Sequence, residues 1–198
     1  MLRLLPYLVV AALVGMVPAG AATAPEDNTD RVLGKADAPV TVIEYASLDC
    51  PHCAEFDTTV LPGVKKDFID TGKVKLVLRD FPLSELAVKA AAIARCAPED
   101  RYFAFMDVLF QQQESWVTAK DPVAALSQLA RLGGMSQAQV DECVKNQKIA
   151  DAILAERIDG AKQFDIQGTP TLVVNGKKVD NPRTYADFEA TLKRFVPQ

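Results

Sequence analysis

Residues 40–53, Val-Thr-Val-Ile-Glu-Tyr-Ala-Ser-Leu-Asp-Cys-Pro-His-Cys, constrain the fold of this chain more than any other stretch. Val40, Val42, Ile43 and Tyr45 have the composition of a short buried strand, with Glu44 the polar member. Beyond Cys53, Phe56, Val60, Leu61 and Val64 recur at roughly helical spacing. The Cys50/Cys53 pair therefore sits where a strand hands over to a helix. A helix N-terminus carries unpaired N–H groups and the positive end of the dipole, both of which favour an anion. A thiolate on Cys50 is such an anion, and a protonated His52 adds positive charge beside it. The placement predicts a reactive Cys50 with a lowered pKa.

The chain has 198 residues, 49% hydrophobic, enough for one domain with a core or one domain carrying an insertion. Its formal charge is -4 and its Lys and Arg residues are scattered, so no nucleic-acid partner is expected. Met1-Leu2-Arg3, the apolar stretch Leu4 to Val17 and the small residues 19–24 have the layout of a signal peptide. Ala-x-Ala matches end at Ala21 and Ala24. The alternative is an uncleaved membrane anchor, for which the apolar stretch is short. Export to an oxidising compartment is the expectation.

Four cysteines in an exported chain, Cys50, Cys53, Cys96 and Cys143, allow three pairings. Cys50 and Cys53 are near enough to close on each other, which leaves Cys96 with Cys143. A bond there would close a loop of about 48 residues and stabilise by roughly 4 kcal/mol in the chain-entropy model. The alternative is two free buried thiols.

Residues 25–38 begin polar and read as an N-terminal extension crossing the surface. The helix after Cys53 is expected to reach about Asp70, with a break or kink near Leu61-Pro62-Gly63. Residues 73–79 read as a second strand. Residues 84–164 then carry almost no strand signal. Ser84 is a candidate N-cap, a second helix fits Pro98 to Gln113, and Asp121-Pro122 opens a third that Gly133-Gly134 closes. Ser136 with Gln139 resembles a capping box, and Ile149 to Phe164 completes the group. Gly168-Thr169-Pro170 leads into the strand Thr171-Leu172-Val173-Val174, an Asn175-Gly176 turn and Lys177-Lys178-Val179, which is a hairpin signal. A last helix spans about Tyr185 to Phe195.

At this point the sequence resembles the thioredoxin superfamily, and most closely its periplasmic DsbA-like thiol:disulfide oxidoreductases. The resemblance rests on Cys50-Pro51-His52-Cys53, on Gly168-Thr169-Pro170 before the hairpin, on the run of helices between them and on the leader. It implies an α/β thioredoxin-like fold with an inserted helical subdomain. The implied division is a leader at 1–24, an extension at 25–38, a thioredoxin-like domain at 39–83 and 165–198, and the insertion at 84–164. It also implies that Cys50 is the nucleophile, that Cys53 resolves the mixed disulfide, and that Pro170 is a cis proline lying against the pair. Thr169 matches a position associated with tuning potential and substrate release; many oxidases of the group carry an aliphatic residue there, whereas Thr is common in related isomerases. Glu44, six residues before Cys50, matches a buried acid beneath the site that accepts or relays a proton. For Pro170 the alternative is an ordinary trans proline opening an edge strand, and for Glu44 a surface carboxylate.

The activity implied is introduction of disulfides into reduced or unfolded exported proteins, in the periplasm, with no cofactor and with reoxidation by a DsbB-like membrane partner. The short extension, too small for a dimerisation domain, implies a monomer. Alternatives are a disulfide isomerase or reductase of the same fold and, from another class, a chaperone or peptide-binding module with a structural dithiol. His52 is the only histidine, which excludes a hydrolytic triad other than one built on it and leaves only a three-Cys, one-His zinc site conceivable; no metal is expected. Trp116, Phe103, Phe105 and Phe110 are expected to pack the helical subdomain.

Overall fold

A computed structural model describes residues 30–197; the expected leader and most of the extension lie outside the described residues. The frame is a five-stranded sheet of order β1-β3-β2-β4-β5. Its strands are β1 (Arg31–Leu33), β2 (Val40–Ala46), β3 (Val74–Asp80), β4 (Thr171–Val174) and β5 (Lys177–Val179). β2 and β3 are parallel, and the remaining neighbours are antiparallel. The three-residue β1 corrects the reading of residues 25–38 as a surface extension. It pairs with β3 from Arg31 opposite Leu78 to Leu33 opposite Leu76, and Asp30 is held by Arg79.

A parallel pair needs a crossover. Here it is residues 51–69, one helical rod of alternating character: α1 (Pro51–Glu55), a π turn at Phe56–Val60, α2 (Leu61–Val64) and a second π turn at Lys65–Ile69. The expected kink is absorbed in the first π turn, one turn ahead of the proline. Pro62 cannot donate to the ladder, and Thr58 and Thr59 turn their hydroxyls onto the Ala54 and Glu55 carbonyls, which bends a helix. Val40, Val42, Val74, Leu76, Leu172 and Val174 face this rod and α9 (Tyr185–Leu192). Gly63 lets α9 come close, because a Cβ there would meet the Tyr185 ring at 2.5 Å.

Six further helices lie between β3 and β4: α3 (Glu85–Arg95), α4 (Tyr102–Gln111), α5 (Gln113–Val117), α6 (Pro122–Leu132), α7 (Gln137–Lys145) and α8 (Gln147–Phe164). Ser84 and Asp121 cap α3 and α6 through side-chain oxygens, and Ser136 with Gln139 forms the capping box of α7. The helix expected over 98–113 is instead a 3₁₀ turn, α4 and α5, interrupted at Gln112. These helices enclose one core containing Ile93, Phe105, Leu109, Phe110, Trp116 and Ile153, with Phe103 against its edge. A disulfide joins Cys96, at the end of α3, to Cys143 on α7. On the other sheet face, α8 approaches β2 where Gly160 meets the Tyr45 ring with no room for a Cβ. Arg95 binds Asp80 and Glu156, each at 2.6 Å, and so ties the end of β3 to α3 and α8.

Candidate active site

Cys50 and Cys53 lie at the C-terminal end of β2, where the strand gives way to α1, and they pack into the helical core rather than standing clear of it. Cys50 is the N-cap of α1 with extended backbone, and Pro51 follows at the first helical turn. Prolines suit that position because its N–H has no intrahelical acceptor. Cys53 is one turn further in and fully buried. The protein holds the pair as two free thiols.

The two sulfurs are made unequal by their surroundings. The Cys50 thiol is lowered to about 5, first by a hydrogen bond from the Cys53 thiol, against the cost of burial, and then by the Thr169 hydroxyl and the backbone N–H groups of Cys53 and His52. Protonated, Cys50 donates to the Thr169 carbonyl at 3.3 Å. The Thr169 hydroxyl is buried with no other hydrogen-bond partner, so it is available to the thiolate. Cys53 is pushed far up, first by burial, then by its bond to Cys50 and by the negative charges of Glu44 and Cys50. Its sulfur accepts only a long bond from the Ser47 N–H, at 3.5 Å. One thiolate is favoured, and it is on Cys50.

Beneath the pair, Glu44 occupies the central strand between Leu78 and Leu172 and faces the rod of residues 51–69, as Val40 and Val42 do. It is buried, and its Oε1 has no hydrogen-bond partner. Burial, and then the charges of Asp57 and Cys50, push its carboxyl well above the usual range. The alternative of a surface carboxylate is thereby corrected: β4 covers the strand side that would have been an edge. The Thr169–Pro170 peptide is cis, which removes the alternative of a trans proline, and Pro170 is buried. His52 turns its ring to solvent, 3.5 Å from Glu55; it is its backbone N–H that reaches toward Cys50. Cys96 and Cys143 are bonded to each other and cannot complete a zinc site with Cys50, His52 and Cys53.

Three participants escaped the sequence reading. Asp57 is buried in the first π turn and raised to about 7 by burial and by Asp107. Its signal was available, because it follows Cys53 by four residues and so shares that helix face. Gln113 donates from α5 to the backbone of the dithiol loop. Asn181 donates to the Pro170 carbonyl at 2.5 Å. Neither amide could be read from its neighbours in sequence, since both act across the fold. Beside the pair, a groove of about 480 Å³ runs past Phe56, Val60, Pro170 and Pro182, with Glu55 and Arg183 on its rim.

Residues 26–194 match the family model described as thioredoxin. A putative protein-disulfide oxidoreductase of Rickettsia typhi is 35% identical over 156 residues, covering 78% of this chain and 58% of the relative. The chain thus spans less than two thirds of the length of the rickettsial relatives it matches. Disulfide bond formation protein D of Bacillus subtilis is 31% identical over 182 residues, covering 86% of this chain and 78% of the relative. Among solved structures, Wolbachia pipientis alpha-DsbA1 superposes with a TM-score of 0.78 at 29% identity, covering 84% of this chain and 90% of that one. Bacillus subtilis BdbD gives 0.75 at 28%, covering 83% and 91%.

Proposed function

The chain belongs to the thioredoxin family, among the disulfide oxidoreductases of DsbA type, and we propose that it is a thiol oxidase that donates its Cys50–Cys53 disulfide to reduced exported proteins. It acts in the periplasm as a monomer, delivered by a leader cleaved after Ala21 or Ala24, and a DsbB-like membrane partner restores its disulfide. The observation that carries this reading is the difference between the two sulfurs. A dithiol whose first cysteine is stabilised as thiolate is favoured over its disulfide, which makes the disulfide a stronger oxidant.

The steps follow from the site. A substrate thiolate attacks Cys50 Sγ; the Cys50–Cys53 bond breaks and its electron pair leaves on Cys53. That sulfur is a poor leaving group as an anion, because it is buried. Glu44, whose carboxyl the same burial biases toward its protonated form, supplies the proton, and the neighbouring Asp57 titrates at about 7 and can share the load. A second substrate thiolate then attacks the substrate sulfur of the mixed disulfide. The substrate leaves with its own disulfide and Cys50 leaves as the stabilised thiolate. The groove past Pro170 and Phe56 accommodates an extended substrate segment during both attacks.

The test is stoichiometric transfer. Oxidised protein is mixed with a reduced, unfolded substrate in the absence of glutathione, and thiols are trapped with time. The proposal predicts one substrate disulfide formed per Cys50–Cys53 disulfide consumed, and none with Cys50→Ser. Rearrangement of a scrambled substrate without net oxidation would make it an isomerase instead.

A further inference from the structure

We propose that Gln113, on the first turn of α5, is a positioning residue for exchange at Cys50–Cys53: its carboxamide clamps the loop that carries the dithiol to the helical subdomain. The inference rests on exchange at that pair being the activity. Nε2 of Gln113 donates to the Leu48 carbonyl at 2.8 Å and to the Cys50 carbonyl at 2.9 Å. A carboxamide NH₂ has two hydrogens, and here each takes one carbonyl. The side chain is buried, whereas the flanking Gln111, Gln112 and Glu114 are exposed. What aims it inward is the interruption at Gln112, whose backbone (φ −101°, ψ 12°) leaves the line of α4 and starts α5 in a new direction. α5 is itself anchored through Trp116, which is buried and donates to the Leu109 carbonyl at 2.8 Å.

The clamp acts on the reacting sulfur through the backbone. The Cys50 carbonyl is also the first acceptor of α1, taking N–H bonds from Cys53 at 3.0 Å and Ala54 at 3.2 Å. Fixing that carbonyl fixes the orientation of the first turn, and with it the His52 and Cys53 N–H groups that face Cys50. On the opposite side the loop is held by Asp49, which accepts from the Ser47 and Ser84 hydroxyls, and by the Leu83 N–H, which donates to Ser47 Oγ at 3.0 Å. Gln113 is the counterpart of that anchor from the inserted helices. The insertion is therefore part of the redox machinery, because it sets how well the helix N-terminus meets the thiolate.

Two substitutions test this in the full-length protein: Gln113→Met, similar in length and without donors, and Gln113→Glu. The readouts are the Cys50 titration by thiolate absorbance and the equilibrium with glutathione, with the Cys96–Cys143 bond confirmed closed. Gln113→Met is expected to raise the Cys50 pKa by about one unit and to shift the glutathione equilibrium about tenfold toward the disulfide. Gln113→Glu sets a carboxylate against two carbonyls, so its departure from wild type is expected to grow between pH 5 and 8. A folded Gln113→Met protein whose titration and equilibrium match wild type within about twofold overturns the proposal. If Gln113→Met fails to fold, a Gln113→Glu protein without pH-dependent departure overturns it in the same way. Both readouts are differences from wild type, so they remain decisive even if wild type itself proves a weak oxidant and the oxidase reading fails.

Discussion

If Cys50 is held as a thiolate by the folded structure, the reduced protein must gain stability over the oxidised one as pH rises. In the unfolded chain a cysteine titrates near 8.5, whereas folded Cys50 titrates at about 5. A folded pKa below the unfolded one means that the stabilisation is complete above the unfolded value and is lost as pH falls through the folded value. Between the two, the unfolded state binds about one more proton than the folded state, so the slope is about 1.4 kcal/mol per pH unit. From pH 5 to pH 7 the integrated gain is about 2 kcal/mol. Above about pH 8.5 the gain levels off and reverses, because Cys53 is raised in the fold and ionises only in the unfolded chain. The assay is urea unfolding of the reduced and oxidised forms across pH 5 to 8, with thiol trapping to confirm that Cys96–Cys143 stays closed. Taking the difference between redox forms removes groups remote from the dithiol, such as Glu156 beside Arg95. A reduced-minus-oxidised difference that moves by less than about 0.5 kcal/mol over this range would refute the reasoning, and reduced Cys50→Ser should show no such trend.

Three other substitutions probe separate parts of the account. Glu44→Gln removes the proton donor to Cys53 and should slow release of Cys53 by about 100-fold in stopped-flow exchange, an unchanged rate ruling the role out. It should also stabilise the protein at neutral pH: a raised folded carboxyl costs stability once pH passes its unfolded value, because only the unfolded chain then ionises. Thr169→Val deletes a hydroxyl that serves the Cys50 thiolate, so the Cys50 titration should move up from about 5; a titration that stays put assigns the lowering to the Cys53 thiol and the backbone donors alone. Gly160→Ala drives a methyl into the Tyr45 ring and should cost about 1–3 kcal/mol in urea unfolding, whereas an unchanged midpoint would mean that α8 can slide on the sheet.

Local chemistry made much of this architecture readable. Val40 to Tyr45 is dense in β-branched residues, Asn175-Gly176 has the chemistry of a hairpin turn, and Ser84, Asp121 and Ser136 are caps that each act on the backbone three residues on. The dithiol was readable for the same reason, since its two cysteines and the helix that polarises them are contiguous. What stayed hidden depends on distant partners. β1 is three residues long with a charged start, and it becomes a strand because the β3 edge is there to accept it. The break at Gln112 falls within a continuous helical pattern and is decided by packing. Gln113 and Asn181 look like any surface amide until the fold brings the Leu48, Cys50 and Pro170 carbonyls to them. Glu44 was ambiguous because alternation along a strand does not reveal whether a neighbour will cover it; β4, whose Leu172 lies opposite Glu44 from the far end of the chain, supplies the cover.

The central claim is that the fold stores its reducing equivalents comfortably and gives up its disulfide readily. The most direct test is the equilibrium of Cys50–Cys53 with glutathione buffers at pH 7, read by site-resolved thiol trapping and peptide mass spectrometry so that Cys96 and Cys143 do not contribute. Lowering Cys50 to about 5 leaves the thiolate favoured by about two pH units at pH 7, which corresponds to about 60 mV relative to the same dithiol with an ordinary cysteine. The account predicts a potential more oxidising than the glutathione couple. A value near that of thioredoxin, about −270 mV, would contradict it and make the protein a reductant.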